Sequence, residues 1–394
     1  MSYRFERAIV LEVLNKLRHP NPLIQIITGP RQVGKTTAAH QIEAKWEGPV
    51  HFVAADSSLP LKAEWIEAQW HIARKKGSEN APCLLVLDEV QKVAGWGETV
   101  KLMFDRDRTA PTVVRPMILG SSALLLSQGT TESLAGRFFL HRAPHWSFAE
   151  CRTAFGWDLD TWLYFGGYPG AVPFINDEES WCAYIYDSLI ETVLTRDVLS
   201  LHNIAKPALL RHLFGLAAQM PAGIVSYNKM LGQLTDAGNT TTLAHYLRLM
   251  EQAFFVSGLE KFSRAVMKKK SSPKLILWNN ALITAAGRSS YNSFLTDPAL
   301  RGRLVENAVG AHLLNHLQGM RYDITYWRHG NHEVDFVVSS PSGVVAVEVK
   351  SGAQSSATDL ARFKQRYEDT TSLIVGTGGV PLDDFFSTHP RDLL

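Results

Sequence analysis

Short apolar runs alternate with amphipathic stretches over the first third of the chain. Runs at residues 23–28, 50–54, 83–87 and 112–119 read as strands, and the intervening segments 35–46, 63–76 and 97–108 read as helices. Strands that are apolar throughout and separated by helices predict an α/β unit with a parallel sheet flanked by helices. The periodicity then becomes helical. Segments 178–200 and 207–220 predict helices, followed by a shorter pair, 223–235 and 240–254, around Asp236-Ala237-Gly238-Asn239. That turn chemistry suits a helix-turn-helix.

In the second helix of the pair Leu243, Tyr246, Leu247 and Met250 form an apolar stripe, leaving Thr240, Thr241, His245 and Arg248 on other faces. Strand candidates at 255–259 and 274–278 flank a loop that carries Arg264, Lys268, Lys269 and Lys270. The arrangement is similar to a winged helix with a positive wing tip, able to meet phosphates and grooves. A solvated basic loop, or a lid or protein-docking module, is the alternative reading. Further on, 301–317 predicts a helix with Leu304, Ala308, Ala311 and Leu314 on one stripe. Strands are expected at 322–327, 333–338 and 344–349, the last two joined by a turn at Ser340-Pro341-Ser342-Gly343.

Composition narrows the class. A chain of 394 residues with 45% hydrophobic and 20% charged residues supports two or three globular domains. Forty basic against 38 acidic side chains leave a formal charge of +2, so nucleic-acid contact has to come from local patches. Cys83, Cys151 and Cys182 have no zinc spacing and form no even-numbered framework, which fits a reducing cytoplasm. Charges throughout the first twenty residues exclude a secretory signal, and no apolar run approaches membrane-spanning length. A cytoplasmic location is expected. Pro144 between His141 and His145 argues against their lying one helical turn apart, so no histidine metal site is expected.

The strongest chemical signal is Gly29-Pro30-Arg31-Gln32-Val33-Gly34-Lys35-Thr36, which fits G-x-x-x-x-G-K-[ST] between a strand and a helix start. Glycines let successive N–H groups turn toward phosphates, the lysine reaches the β/γ oxygens, and the hydroxyl holds Mg²⁺. Gly29 to Thr37 are therefore expected to bind ATP. The strand at 83–87 runs into Asp88-Glu89, two carboxylates at the sheet edge where ligands collect. Asp88 would hold Mg²⁺ through water, and Glu89 would orient or deprotonate the attacking water. A helix-capping acidic pair is the plain alternative. Gly120-Ser121-Ser122 places hydroxyls where a γ-phosphate sensor would sit, or simply at a helix N-cap. Near the C-terminus, Glu348 and Lys350 stand two residues apart on one sheet face, and Asp335 in the preceding strand lies beside them.

Together with Leu-Asp-Glu-Val-Gln at 87–91 and the following Trp96, Gly-Ser-Ser-Ala-Leu-Leu-Leu at 120–126, Ser-Leu-Ala-Gly-Arg-Phe at 133–138 and Gly-Gly-Tyr-Pro at 166–169, the chain resembles a prokaryotic AAA-type P-loop ATPase family. Members of that family carry a C-terminal nuclease-like domain of unassigned function. The resemblance implies that Ser121 is a sensor residue and that Arg137 or Arg196 is a sensor or trans-acting arginine, hence a homo-oligomer, with a ring as one arrangement. Salt bridges are the alternative for both arginines. Asp335, Glu348 and Lys350 resemble the PD-(D/E)xK core, with Asp335 and Glu348 as Mg²⁺ ligands, Lys350 positioning water or stabilising charge, and Glu306 as an additional acidic ligand. Trp278-Asn279-Asn280-Ala281-Leu282 departs from the family pattern, which has an aspartate before a Gly-Leu pair.

The expected organisation is a P-loop ATPase core at 1–145, a helical lid and connector at 146–205, a winged-helix-like domain at 206–290 and a restriction-endonuclease-like α/β domain at 291–394. The expected function is ATP binding and hydrolysis coupled to action on DNA, branched or single-stranded, in recombination or repair. Two alternatives belong to other classes: a nucleotide-dependent switch that binds protein partners, and a metal-dependent nuclease regulated by ATP.

Overall fold

The computed structural model describes residues 5–56, 60–108, 113–121, 133–198, 204, 206–233, 239–264, 271–287, 289–352 and 358–394, apart from the side chains of Ser121, Arg196 and Asp197. The chain divides into two compact units, Met1–Pro144 and His145–Leu394.

The first unit is built on a five-stranded parallel sheet in the order β2-β3-β4-β1-β5, with β1 at Ile24–Gly29, β2 at Val50–Ala54, β3 at Cys83–Asp88, β4 at Val114–Ser121 and β5 at Phe138–Arg142. Every residue of β1 and β3 is buried, including the polar Gln25 and Thr28 of β1, and β3 accordingly reads as a continuous apolar run up to Asp88. The helix Ala63–Lys76 buries Ile66, Trp70 and Ala73, one face of a 3.6-residue period. Its Trp70 Nε1 and Arg74 Nε donate to Asp107 at 2.6 and 2.7 Å, fastening it to the end of the helix Trp96–Asp107.

Two elements of this unit lie outside the predicted set. The helix Ala8–Leu17 buries Ile9, Val10, Val13, Leu14 and Leu17, while its charged Glu12 and Lys16 fall on the opposite face. β5 is a short edge strand, Phe138-Phe139-Leu140-His141-Arg142, with one buried residue in five, His141. His141 is held between Glu12 Oε1 and Gln25 Oε1, at 2.7 Å each.

In the second unit the helices Phe148–Phe155 and Leu159–Phe165 come first. Ser147 and Glu150 form a reciprocal capping box at the start of the first helix. The long helix expected over 178–200 is α-helical only at Glu178–Ala183 and continues with π winding over Tyr184–Glu191 and Val193–Val198. After the helix Pro207–Gln219, the segment predicted to be helical from 223 begins only at Tyr227. The reason is visible in its hydrogen bonds. Ala222 and Val225 donate to the carbonyls of Leu275 and Pro273, and Leu275 donates to Gly223, so this stretch pairs with a strand instead. That strand, β7 at Lys274–Leu277, also pairs antiparallel with β6 at Val256–Leu259. The helix Thr240–Gln252 precedes β6 and buries the predicted stripe of Leu243, Tyr246, Leu247 and Met250.

The helix Pro298–Leu317 starts three residues earlier than the predicted bound at 301. Asp297 caps it by accepting from the N–H groups of Ala299 and Leu300, and Pro298 occupies the first turn. Beyond it lies a mixed sheet in the order β11-β10-β9-β8, with β8 at Asp323–His329, β9 at His332–Ser340, β10 at Gly343–Lys350 and β11 at Thr370–Gly376. β8 to β10 form an antiparallel meander, and β11 joins β10 in parallel. Gly310 lets the long helix lie directly on this sheet, since a Cβ there would stand 2.8 Å from the Phe336 ring.

The departure at Asn279-Asn280 is a buried polar staple. Asn279 Oδ1 accepts from the N–H groups of Gly167 and Ala281. Asn280 Nδ2 donates to the carbonyls of Leu163 and Leu304, and Asn307 closes the network through Leu277 and Asn280. A Cβ at Gly166 would fall 1.9 Å from Asn279 Oδ1, which explains the first glycine of Gly166-Gly167.

Candidate functional site

The sequence motif at the end of β1 folds into a phosphate-binding loop. A Cβ on Gly29 would stand 2.1 Å from the backbone oxygen of Ala143, so only glycine lets β1 turn out of the sheet here. Gln32 lies in the left-handed region at φ 60° and Gly34 at φ 88°, turning the chain into the helix Lys35–Ala44. Lys35 Nζ donates to the carbonyls of Gly29 and Pro30 at 2.9 and 2.6 Å, placing its charge inside the curl of the loop. Thr36 and Thr37 follow in the first helical turn. The Val33 carbonyl accepts from Arg7 Nη1 at 3.3 Å, and Arg7 is buried. Arg7 was not a sequence candidate. It sits among the charges of the first twenty residues, whose spacing carries no motif.

The loop and the two carboxylates at the end of β3 are separated by β4, whose register sets Gly29 opposite Ser121. Across that gap Thr36 Oγ1 donates to Asp88 Oδ2 at 3.0 Å. Asp88 is buried, and its other oxygen accepts the Glu89 N–H at 2.9 Å. Glu89 sits at φ 54°, uncommon for a non-glycine residue, and its carboxylate accepts from Gln91 Nε2 at 2.9 Å. Hard oxygen donors already adjacent, a hydroxyl and a carboxylate, fit a Mg²⁺ ion. Thr36 and Asp88 are the residues that would hold it, and the ion would neutralise phosphate charge.

Replacing Gly29 by alanine is expected to cost at least ~2 kcal/mol, because the clash is with backbone that cannot rotate away. Chemical denaturation of the full chain checks this. An unchanged midpoint would mean that the loop leaves the sheet differently.

Of the other nucleotide-site candidates Ser121, Arg137 and Arg196, Arg137 is the one whose side chain is described. Arg137 makes a bidentate pair with Asp105, Nε to Oδ1 at 2.8 Å and Nη2 to Oδ2 at 2.9 Å, and hydrogen bonding from Arg137 holds the Asp105 carboxyl below its usual range. To act on a phosphate it would first have to leave this partner. Arg196 and Ser121 are placed through their backbone, in the π-wound segment and at the end of β4, and their side chains lie outside the described residues. Ser122 and the basic residues Lys268, Lys269 and Lys270 also lie outside them.

A second cluster forms where the helix Pro298–Leu317 crosses the mixed sheet. The β9–β10 ladder ends at Phe336 and Val347, and Asp335 Oδ2 then accepts the Val349 N–H at 2.8 Å. Glu348 Oε1 accepts from Lys350 Nζ at 2.6 Å, while Glu348 Oε2 is buried without a partner among the described residues. Glu306 and Asp335 gather with Glu333, their ligand atoms all within 4.8 Å of one another, a spacing a metal ion can bridge. The cation found there is Lys274. Its ammonium lies 2.6 Å from Glu306, 3.3 Å from Glu333 and 3.5 Å from Asp335, and its side chain is fully buried.

Glu306, Asp335 and Glu348 therefore do not form one ligand set here, because Glu306 is committed to Lys274 and Glu348 to Lys350. Glu333 and Lys274 were missed as site residues. A charged residue in a strand reads as a solvated face, and only the folded topology brings Lys274 to these carboxylates.

Burial alone would drive the Lys274 ammonium toward neutrality, but Glu306, Asp335 and Glu333 outweigh it and hold the pKa above the ordinary lysine value. Burial pushes Glu306 up to about 7 against the pull of Lys274. Glu348 is also pushed up to about 7, by burial and then by the charge of Asp335, against Lys350. In the folded state both carboxyls hold protons more tightly than a glutamate in the unfolded chain does. Stability from these groups is fully present below about pH 4.5 and is lost as pH rises to about 7, with a slope up to about 1.4 kcal/mol per pH unit per group. In EDTA, amide exchange in the helix Pro298–Leu317, corrected for intrinsic rates, is expected to show less protection at about pH 8 than at about pH 5.5. Equal or greater protection at the higher pH would contradict this assignment.

No helix among the described residues is long and apolar enough to cross a membrane. Residues 21–152 match the family described as AAA domain, residues 156–292 a domain of unknown function (DUF8612), and residues 301–384 a domain of unknown function (DUF4143). An uncharacterized protein of Mycobacterium tuberculosis is 26% identical over 281 residues, 71% of this chain and 59% of the relative; a Mycobacterium bovis protein matches equally. The chain thus spans about 59% of the length of these mycobacterial relatives. An uncharacterized protein of Methanocaldococcus jannaschii is 24% identical over 342 residues, 80% of this chain and 72% of that protein. Among solved structures, the Aeropyrum pernix Orc1 protein in complex with DNA aligns at TM-score 0.30 and 13% identity, covering 73% of this chain and 93% of that one. Cdc6p from Pyrobaculum aerophilum aligns at TM-score 0.33 and 12% identity, covering 72% and 94%. A Thermotoga maritima RuvB mutant aligns at TM-score 0.33 and 16% identity, covering 64% and 86%. The chain carries an AAA-type P-loop ATPase domain, followed by two domains of unknown function.

Proposed function

We propose that this chain is a Mg²⁺-dependent ATP hydrolase whose turnover is coupled to DNA engaged by the second unit, in recombination or repair of branched molecules. The observation that carries the ATPase reading is the Thr36–Asp88 contact of 3.0 Å, which links the helix of the phosphate loop to the carboxylate pair. With ATP in the loop, Lys35 would exchange the Gly29 and Pro30 carbonyls for β/γ-phosphate oxygens. Glu89 would take a proton from water as the water oxygen bonds to the γ-phosphorus, and the bond from that phosphorus to the β-phosphate oxygen would break to release ADP and phosphate.

DNA contact is supported by the helix Thr240–Gln252, whose Thr241 and Arg248 are exposed while its apolar stripe faces inward. A cavity of about 670 Å³ beside this helix also contains Arg248, but Glu251, Glu260 and Asp323 line it as well. Those carboxylates disfavour phosphate inside the cavity, so the contact is assigned to the solvent-exposed parts of Thr241 and Arg248. Assembly into a homo-oligomer, with an arginine supplied by a neighbouring copy, belongs to the same reading.

ATP turnover measured with single-stranded, duplex, forked and four-way DNA is expected to rise at least ~threefold with one of these, and the rise is expected to fade with added salt. If no DNA alters turnover and none is retained at low salt, the second unit serves protein partners and the chain acts as a nucleotide-dependent switch.

A further inference from the structure

We propose that Lys274 is the resident cation of the Glu306–Glu333–Asp335 cluster, standing where a divalent ion would otherwise be required, so that the second unit closes its acidic site without metal. Three carboxylates whose oxygens lie within 4.8 Å of one another repel unless protonation or a counter-charge relieves them, and a counter-charge comes from a bound ion or a side chain. Here the side chain is present and fully buried, within 3.5 Å of all three groups. Its aliphatic stem arrives from β7, which is paired on one edge with β6 and bridged on the other by Ile224, so the backbone fixes where the ammonium lies. The Lys274 ammonium also lies 5.0 Å from the centre of the Phe336 ring. A divalent ion entering this cluster would have to sit against the ammonium or expel it into apolar surroundings, and either is unfavourable.

The arrangement has a consequence for the two domains of unknown function. Lys274 belongs to the segment 156–292 and the three carboxylates to the segment 301–384. One segment thus completes the charge balance of the other.

Binding of Mn²⁺ alone tests the assignment, read by the loss of its free-ion paramagnetic resonance signal in the nucleotide-free full chain. An Asp88→Ala background removes the ATPase-domain metal ligand from the measurement. With Lys274 in place the chain is expected to bind Mn²⁺ at least ~tenfold more weakly than the Lys274→Met and Lys274→Ala chains. These variants are expected to melt lower in EDTA and to recover in Mn²⁺. Should neither variant fold, the decision passes to the Lys274-containing chain and its Glu306→Gln variant. Melting temperatures that are the same in EDTA and in Mn²⁺ uphold the assignment. A rise in Mn²⁺ that disappears in Glu306→Gln overturns it, as does equally tight Mn²⁺ uptake with and without Lys274.

Discussion

Lys35→Ala is expected to lower ATP turnover at least ~100-fold, the scale on which removing a preorganised charge from a phosphoryl-transfer site is felt. The ammonium is held by the Gly29 and Pro30 carbonyls, so its position is set by the same loop that would cradle the phosphates. Alanine removes the charge and leaves those carbonyls unpaired in the place where anionic oxygens are to bind. Substrate affinity and chemistry should therefore fall together. Glu89→Gln is expected to separate them. The amide keeps the size of the side chain but cannot take a proton from water, so ATP should still bind while phosphate release falls by at least ~100-fold. Steady-state phosphate release and equilibrium binding of a fluorescent ATP analogue distinguish the two variants. Unaltered turnover in Lys35→Ala would place the triphosphate somewhere other than this loop.

The largest expected effect on stability is that of Lys274→Met, about 3–5 kcal/mol, the cost of breaking a buried ion pair from one side only. Methionine fills most of the volume of the lysine stem, so the loss comes from the charges and not from a cavity. What remains is Glu306, Glu333 and Asp335 at mutual distances within 4.8 Å with no cation among them. Protonation relieves part of this repulsion, and for that reason the loss should be smaller at about pH 5 than at about pH 8. Adding Glu306→Gln to Lys274→Met should recover part of the loss, because it removes one of the stranded carboxylates. Urea denaturation of the single and double variants measures the coupling directly. A double variant no more stable than Lys274→Met would mean that Glu306 and Lys274 do not act as a pair.

The nucleotide site was legible because its chemistry is local in sequence. The loop from Gly29 to Thr36 is contiguous, and the Asp88-Glu89 pair ends a strand, β3, that is buried along its whole length. Burial on both faces leaves the uninterrupted apolar signature that marks a central parallel strand. Elsewhere the pattern was harder to read: the apolar run of β5 is only three residues long, Phe138-Phe139-Leu140, and the charged residues of the helix Ala8–Leu17 masked its stripe.

The C-terminal cluster was half legible. Asp335, Glu348 and Lys350 stand close together on one hairpin, which sequence spacing can reveal. Lys274 lies at the start of an apolar strand, and nothing in its neighbours announces that its charge is buried; the partners that neutralise it come from a helix and a strand in another segment. The shortened helix at Tyr227 has the same origin. Residues 222–225 give their hydrogen bonds to β7, a tertiary choice that helical propensity does not register.

On the proposed reading, the loop from Gly29 to Thr36, together with Asp88 and Glu89, hydrolyses ATP. Phosphate release from ATP by the purified full chain, compared with and without Mg²⁺ and with Thr36→Ala, tests it most directly. Turnover that requires Mg²⁺ and collapses in the variant is the predicted result. No phosphate release, or release that survives the loss of the Thr36 hydroxyl, would contradict it.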